Sequence, residues 1–118
     1  DNTAIVSQII DTANFAHCEF VIQIGANTDA DVTFVVLAEE GAASNLSDNT
    51  AVADADLLGT EVLAAFRYDD DNETRKIGFK PNGKRYKRVT ITPADNAAGN
   101  IYLAGLWIQS GARKAPQS

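Results

Sequence analysis

Apolar and polar residues alternate along most of this chain, with the two-residue period of a strand whose faces meet different surroundings. Cys18–Ile24 sets Phe20, Ile22 and Ile24 on one side and Glu19 and Gln23 on the other. An earlier strand is predicted over Thr3–Ile10, with Ile5 and Ile9 on one face and Val6 and Ile10 on the opposite one. After Gly25 and the polar run ANTDAD, the segment VTFVVLA predicts a strand that is apolar on both faces at its centre. The stretch from Glu39 to Gly59 is polar, rich in Ala and Asp, and weakly patterned. It predicts a long loop with one short helical turn near Thr50–Leu58, for which Asp48 or Ser47 supplies the N-cap. Alternation returns in EVLAAFRY, where Val62, Ala64, Phe66 and Tyr68 share a face.

TRKIGF (74–79) and RYKRVTIT (85–92) follow, separated by KPNGK. Asn82-Gly83 favours positive φ at both central positions of a tight turn, so the two segments are predicted to pair as a hairpin. Pro81, which cannot donate to a ladder, suits the strand end. Within that hairpin Arg75, Ile77 and Phe79 share one face, with Lys76 and Lys80 on the other. On the second strand Arg85, Lys87, Val89 and Ile91 lie opposite Tyr86, Arg88 and Thr90. PADNAAGN then reads as a loop and IYLAGLWIQ as a last apolar strand holding Trp107. SGARKAPQS reads as a polar tail.

Seven to eight short strands with turn chemistry between them predict an all-β fold, an antiparallel β-sandwich or jelly roll. At 118 residues the chain is one domain's worth, residues 1–118, with a flexible polar C-terminal tail over about 110–118. No apolar run approaches the roughly 18 residues of a membrane span. No charged leader with an apolar stretch and cleavage site occurs, so no secretory signal is expected.

Charge order changes the picture more than composition does. Residues 1–66 hold eleven acidic side chains and no Lys or Arg; residues 67–118 hold all ten basic ones and five acids. The two parts carry −11 and +5, giving the net −6. Such asymmetry points to a polar molecule or a charged partner surface.

Candidate chemistry is sparse. A single cysteine, Cys18, leaves no internal disulfide framework and no Cys-based zinc site. His17 is its neighbour, but adjacent strand residues face opposite ways, so the two are badly placed as a base and nucleophile. Three acidic groups offer oxygen ligands for calcium: Asp29 with Asp31, Asp54 with Asp56, and Asp69, Asp70, Asp71 with Glu73. None has the glycine and distal glutamate of an EF-hand loop, and each reads as a solvated turn. Phosphate-loop and dinucleotide fingerprints are absent. The expectation is a protein that is not an enzyme and uses no cofactor or metal.

The run RKIGFKPNGKRYKR, residues 75–88, concentrates seven positive charges around the predicted turn. Three readings fit: a grip on phosphates, a tip that docks on an acidic protein surface, or a solvated tip balanced by the nearby DDDNE. The acidic first half weakens the phosphate reading, and nucleic acid is not the expected partner.

DNTAIVSQIIDTANF, DADVTFVVLAEE, ADADLLGTE and above all RKIGFKPNGKRYKRVTITPADN resemble a family of small tailed-bacteriophage proteins. These are encoded beside the major capsid protein and taken to be capsid decoration (cement) or minor head proteins. The resemblance covers nearly the whole chain and implies a β-rich protein without catalytic activity. It implies binding to the major capsid protein on the outer surface of an icosahedral head, stabilisation of capsomer junctions, and synthesis in the host bacterial cytoplasm. It carries over no individual functional residues. From charge, the expected contacts are Lys80, Lys84, Arg85 and Lys87 at the tip, with Arg113 and Lys114 in the tail; self-association as a dimer or trimer is expected, and no membrane. The alternatives are another virion role at the head–tail junction or tail, and a carbohydrate-binding β-sandwich. The last needs exposed aromatics, and Trp107, in the most apolar strand, reads as core.

Overall fold

A computed structural model describes residues 2–13, 15–80, 83–96 and 101–112. Those residues form the all-β sandwich expected, built from two antiparallel sheets. The elements in chain order are β1 (Ile5–Val6), β2 (Ile10–Asp11), β3 (Phe15–Asn27), β4 (Thr33–Gly41), β5 (Thr50–Ala51), β6 (Leu57–Leu58), α1 (Glu61–Ala64), β7 (Phe66–Arg67), β8 (Thr74–Phe79), β9 (Tyr86–Ala94) and β10 (Ile101–Ala112). One sheet runs β1-β9-β4-β5, with β2 also on β9 and β7 also on β4; the other runs β10-β3-β8-β6. Among the described residues the ten strands exceed the seven to eight expected, because five of them are only two residues long.

Period-two patterning works as predicted in the long strands. Cys18, Phe20, Ile22 and Ile24 of β3 are buried, and so are Phe34, Val36 and Ala38 of β4. Ile77 and Phe79 of β8 and Val89 and Ile91 of β9 complete the layer between the sheets. Phe34 stacks on Phe66 at 4.6 Å between ring centroids, a geometry that adds to plain area burial.

The predicted hairpin does not form. β8 lies between β3 and β6, and β9 lies between β4 and the β1/β2 segments, so the two strands belong to different sheets. Between Phe79 and Tyr86 the chain crosses from one layer to the other; Pro81 and Asn82 lie outside the described residues, while Gly83 does have φ +82°. The turn preference is local, whereas β4 and β9 stay in register from Thr33 opposite Ala94 to Gly41 opposite Tyr86. That long pairing, with its buried inner face, outweighs a two-residue turn signal.

Three other expectations change. EVLA is helical rather than extended, because the Thr60 hydroxyl accepts from the Leu63 N–H at 3.0 Å and caps a run of helix-forming residues. The single strand expected over Thr3–Ile10 is two segments on β9. Between them the Ser7 hydroxyl accepts from the Val89 N–H at 2.9 Å and takes the place of a ladder carbonyl. The short helical turn does fall within Thr50–Leu58, at Asp54–Asp56, but it has no side-chain cap from Asp48 or Ser47. Asp48 instead accepts from the Ala42 and Ala43 N–H groups, which lower its pKa from the ordinary carboxylate value and close the loop after β4. Residues 110–112, expected in the tail, belong to β10, which runs through Ala112; the rest of the expected tail lies outside the described residues.

Candidate functional site

The crossover from β8 to β9 forms one end of the sandwich, and four of the seven cations of the basic run lie there around a cleft of about 220 Å³. Lys80, Lys84, Arg85 and Lys87 line it together with His17 and Cys18. The four cations are held in different ways.

Lys87 is the correction to the expected contact set. It points inward with its neighbours Val89 and Ile91, and only 2% of its side chain is exposed. Its ammonium lies 2.7 Å from Glu40 Oε1 and 5.6 Å from the centre of the Phe79 ring. An ammonium so placed is unavailable to a partner surface; its role is internal. The same Glu40 oxygen accepts from the Lys84 N–H at 3.0 Å. A side chain at Gly83 would run into that carboxylate, so Gly83 serves both the positive φ and the close approach. Glu40 therefore holds the start of β9 against the end of β4.

Arg85 is exposed and forks onto both oxygens of Asp11, at 2.8 and 2.7 Å. The hydrogen bonds from Arg85 hold the Asp11 carboxyl below its ordinary value. Next along β9, Arg88 reaches Glu39 at 3.0 Å, and the Thr90 hydroxyl donates to the same carboxylate at 2.6 Å. Burial by itself would raise the Glu39 pKa, but these donors outweigh it and lower it.

Lys80 and Lys84 are exposed, and neither ammonium is within ion-pair distance of a carboxylate among the described residues. Lys84 meets Asp48 only through longer-range attraction. The acidic DDDNE does not balance this end. Arg67 pairs with Asp69, and Arg75 pairs with Asp70 and Glu73, at the opposite end of β8, about 20 Å away along a six-residue strand. Arg113 and Lys114, expected contacts in the tail, lie outside the described residues.

The cleft's thiol is buried and stays protonated at neutral pH. Burial pushes Cys18 up to about 12, and His17 points to the exposed face of β3 while Cys18 points inward. Among the described residues no three His, Cys, Asp or Glu side chains are grouped to hold a metal ion. Asp29 accepts from the Asp31 N–H at 3.0 Å in a tight acidic turn. Trp107 packs on Phe20 and Phe79 at 4.8 and 5.6 Å and donates its indole N–H to the Gln8 carbonyl, which turns its ring toward the core.

Sequence reasoning missed Glu40 and Asp11. Their spacing from the basic run, 47 and 74 residues for the two pairs, leaves no local signal. What the arrangement can do chemically is attract anionic groups: two uncommitted ammonium groups stand beside an internally neutralised frame. Compared with known proteins, the chain matches no family model, no curated protein and no solved structure.

Proposed function

We propose that this protein is a capsid decoration subunit of a tailed bacteriophage, which docks on the major capsid protein at the outer surface of the head and stabilises capsomer junctions. The observation that carries the docking part is the pair Lys80 and Lys84. Both are exposed at the crossover between two sheets, while among the described residues Arg67, Arg75, Arg85, Lys87 and Arg88 are paired with the protein's own carboxylates; Lys76, exposed on β8 and away from the cleft, has no ion pair there either. Cations left free on a rigid frame suit recognition of an acidic protein surface, where they steer encounter and set register. The net charge of −6 disfavours a phosphate backbone as the target. The capsid part of the reading comes from the resemblance of residues 75–96 and the other quoted segments. Among the described residues no helix is long and apolar enough to cross a membrane.

Co-sedimentation with undecorated phage heads tests the reading. The wild-type chain should pellet with heads at low salt and progressively less at high salt. Lys80→Glu combined with Lys84→Glu should weaken pelleting by about tenfold or more. Absence of wild-type pelleting at low salt would end the proposal, and binding that ignores both substitutions would remove the basic end from it. Locating the bound chain on particles by electron cryo-microscopy separates the shell from a head–tail junction or tail position.

A further inference from the structure

The four sheet edges are treated unequally. Three of them end in two-residue strands: β5 and the β1/β2 segments close one sheet, and β6 closes the far side of the other. Short edge strands are a standard protection against pairing with other chains. The fourth edge is β10, twelve residues long, which pairs with β3 on one side. Its other side makes no backbone hydrogen bond among the described residues.

β10 has none of the usual protective features along its middle. Residues 101–112 contain no Asp, Glu, Lys, Arg or Pro. A register shift between Ile101 and Leu103 and the positive φ of Gly111 bend the ends, leaving Leu103–Ser110 as a regular open run of about 27 Å. On its outer face Tyr102 is 75%, Leu106 61% and Ile108 46% exposed. Inside that edge, between Leu103 and Trp107 of β10 and Ile5 and Val6 of β1, opens an apolar cleft of about 380 Å³.

We infer that β10 pairs antiparallel with β10 of a second copy of this chain, joining two four-stranded sheets into one of eight strands. The sequence of the strand says why the occupant is a second copy. A twofold axis at Leu106 sets Tyr102 opposite Ser110, Ala104 opposite Ile108 and Gly105 opposite Trp107, a large side chain facing a small one in these three pairs, with Leu103 opposite Gln109. Leu106 meets itself. A net charge of −6 opposes self-association over most surfaces, but here no charged side chain faces its like. Added at this edge, the second strand covers the mouth of the apolar cleft and takes up the unpaired backbone groups. The inference does not rest on the capsid reading.

Sedimentation velocity on the purified chain provides the test. The wild type should run at twice the 12.6 kDa chain mass at about 100 μM and dissociate on dilution. Leu106→Lys sets two ammonium groups face to face and should weaken the dimer by about tenfold or more. Leu106 is exposed enough for the monomer's fold to survive, which thermal melts of the dilute variant check directly. An equal mixture of Leu106→Lys and Leu106→Glu should restore the dimer, and Val62→Lys, on the exposed face of α1, should leave it unchanged. Amide exchange over Leu103–Ser110 should slow as concentration rises. A wild type that stays monomeric at about 100 μM overturns the inference. So does an oligomer indifferent to Leu106→Lys, or protection of the edge that does not depend on concentration, which would assign it to the chain's own residues. Pelleting with heads is a separate measurement, so either proposal can fail alone.

Discussion

Glu40→Ala is the substitution with the largest stability effect expected from the basic end. Glu40 is 7% exposed, and one of its oxygens accepts both from the Lys87 ammonium at 2.7 Å and from the Lys84 N–H at 3.0 Å. Removing it takes the carboxylate from the ammonium of a lysine whose side chain is 2% exposed, against the Phe79 ring. Breaking one side of a buried pair costs about 3–5 kcal/mol, because the surviving charge keeps its desolvation penalty. A domain of this size loses roughly 3–5 °C of Tm per kcal/mol, so the melting point should fall by about 10–20 °C. Glu40→Gln keeps an acceptor in the same place and should cost less, about 1–3 kcal/mol. Glu40→Leu combined with Lys87→Met removes both charges and fills the space with apolar atoms, and should recover most of the loss. Urea unfolding of the wild type, Glu40→Leu, Lys87→Met and the double variant closes a double-mutant cycle whose interaction energy should exceed about 2 kcal/mol. A cost below about 1 kcal/mol for Glu40→Ala, or a double variant as unstable as the single, would refute the assignment of Glu40 as the carboxylate that compensates a buried cation.

Three further outcomes follow from the same geometry. Asp11 and Glu39 titrate below their ordinary 3.8 and 4.5 in the folded protein, so their stabilisation is complete above those values and lost as pH falls through the lower folded ones. Urea midpoints should therefore drop as the pH falls below about 5, and Arg88→Met should flatten that drop; an unchanged slope contradicts the Arg88–Glu39 pairing. Cys18, pushed up to about 12, should react with a chromogenic disulfide at pH 8 far more slowly than a free thiol, releasing its full equivalent only in denaturant. Fast reaction in the folded protein would show the thiol to be accessible. Gly105→Ala drives a methyl group into the Phe20 ring and should destabilise the fold by about 1–3 kcal/mol, read as a lower urea midpoint; a neutral effect would mean that Phe20 moves aside freely.

The alternation of Phe20, Ile22 and Ile24, of Phe34, Val36 and Ala38, and of Lys87, Val89 and Ile91 was legible from residue order. Side chains two apart on a strand must share a face, and burying one face decides which. The all-β class followed, and so did the opposed orientation of His17 and Cys18. The basic run was legible as a concentration of charge but not as a site. Whether Lys87 is a surface contact or a buried partner depends on Glu40, 47 residues earlier in the chain. Asn82-Gly83 signalled a positive φ, which Gly83 adopts, but not which strands pair, because turn chemistry acts over four residues and sheet membership is set by long pairings such as β4 with β9. Nor does residue order say which strand is last in a sheet. IYLAGLWIQ reads the same in the middle of a sheet as at its rim. Only the assembled sheets leave it at the edge, where its missing charges and open backbone groups acquire a consequence.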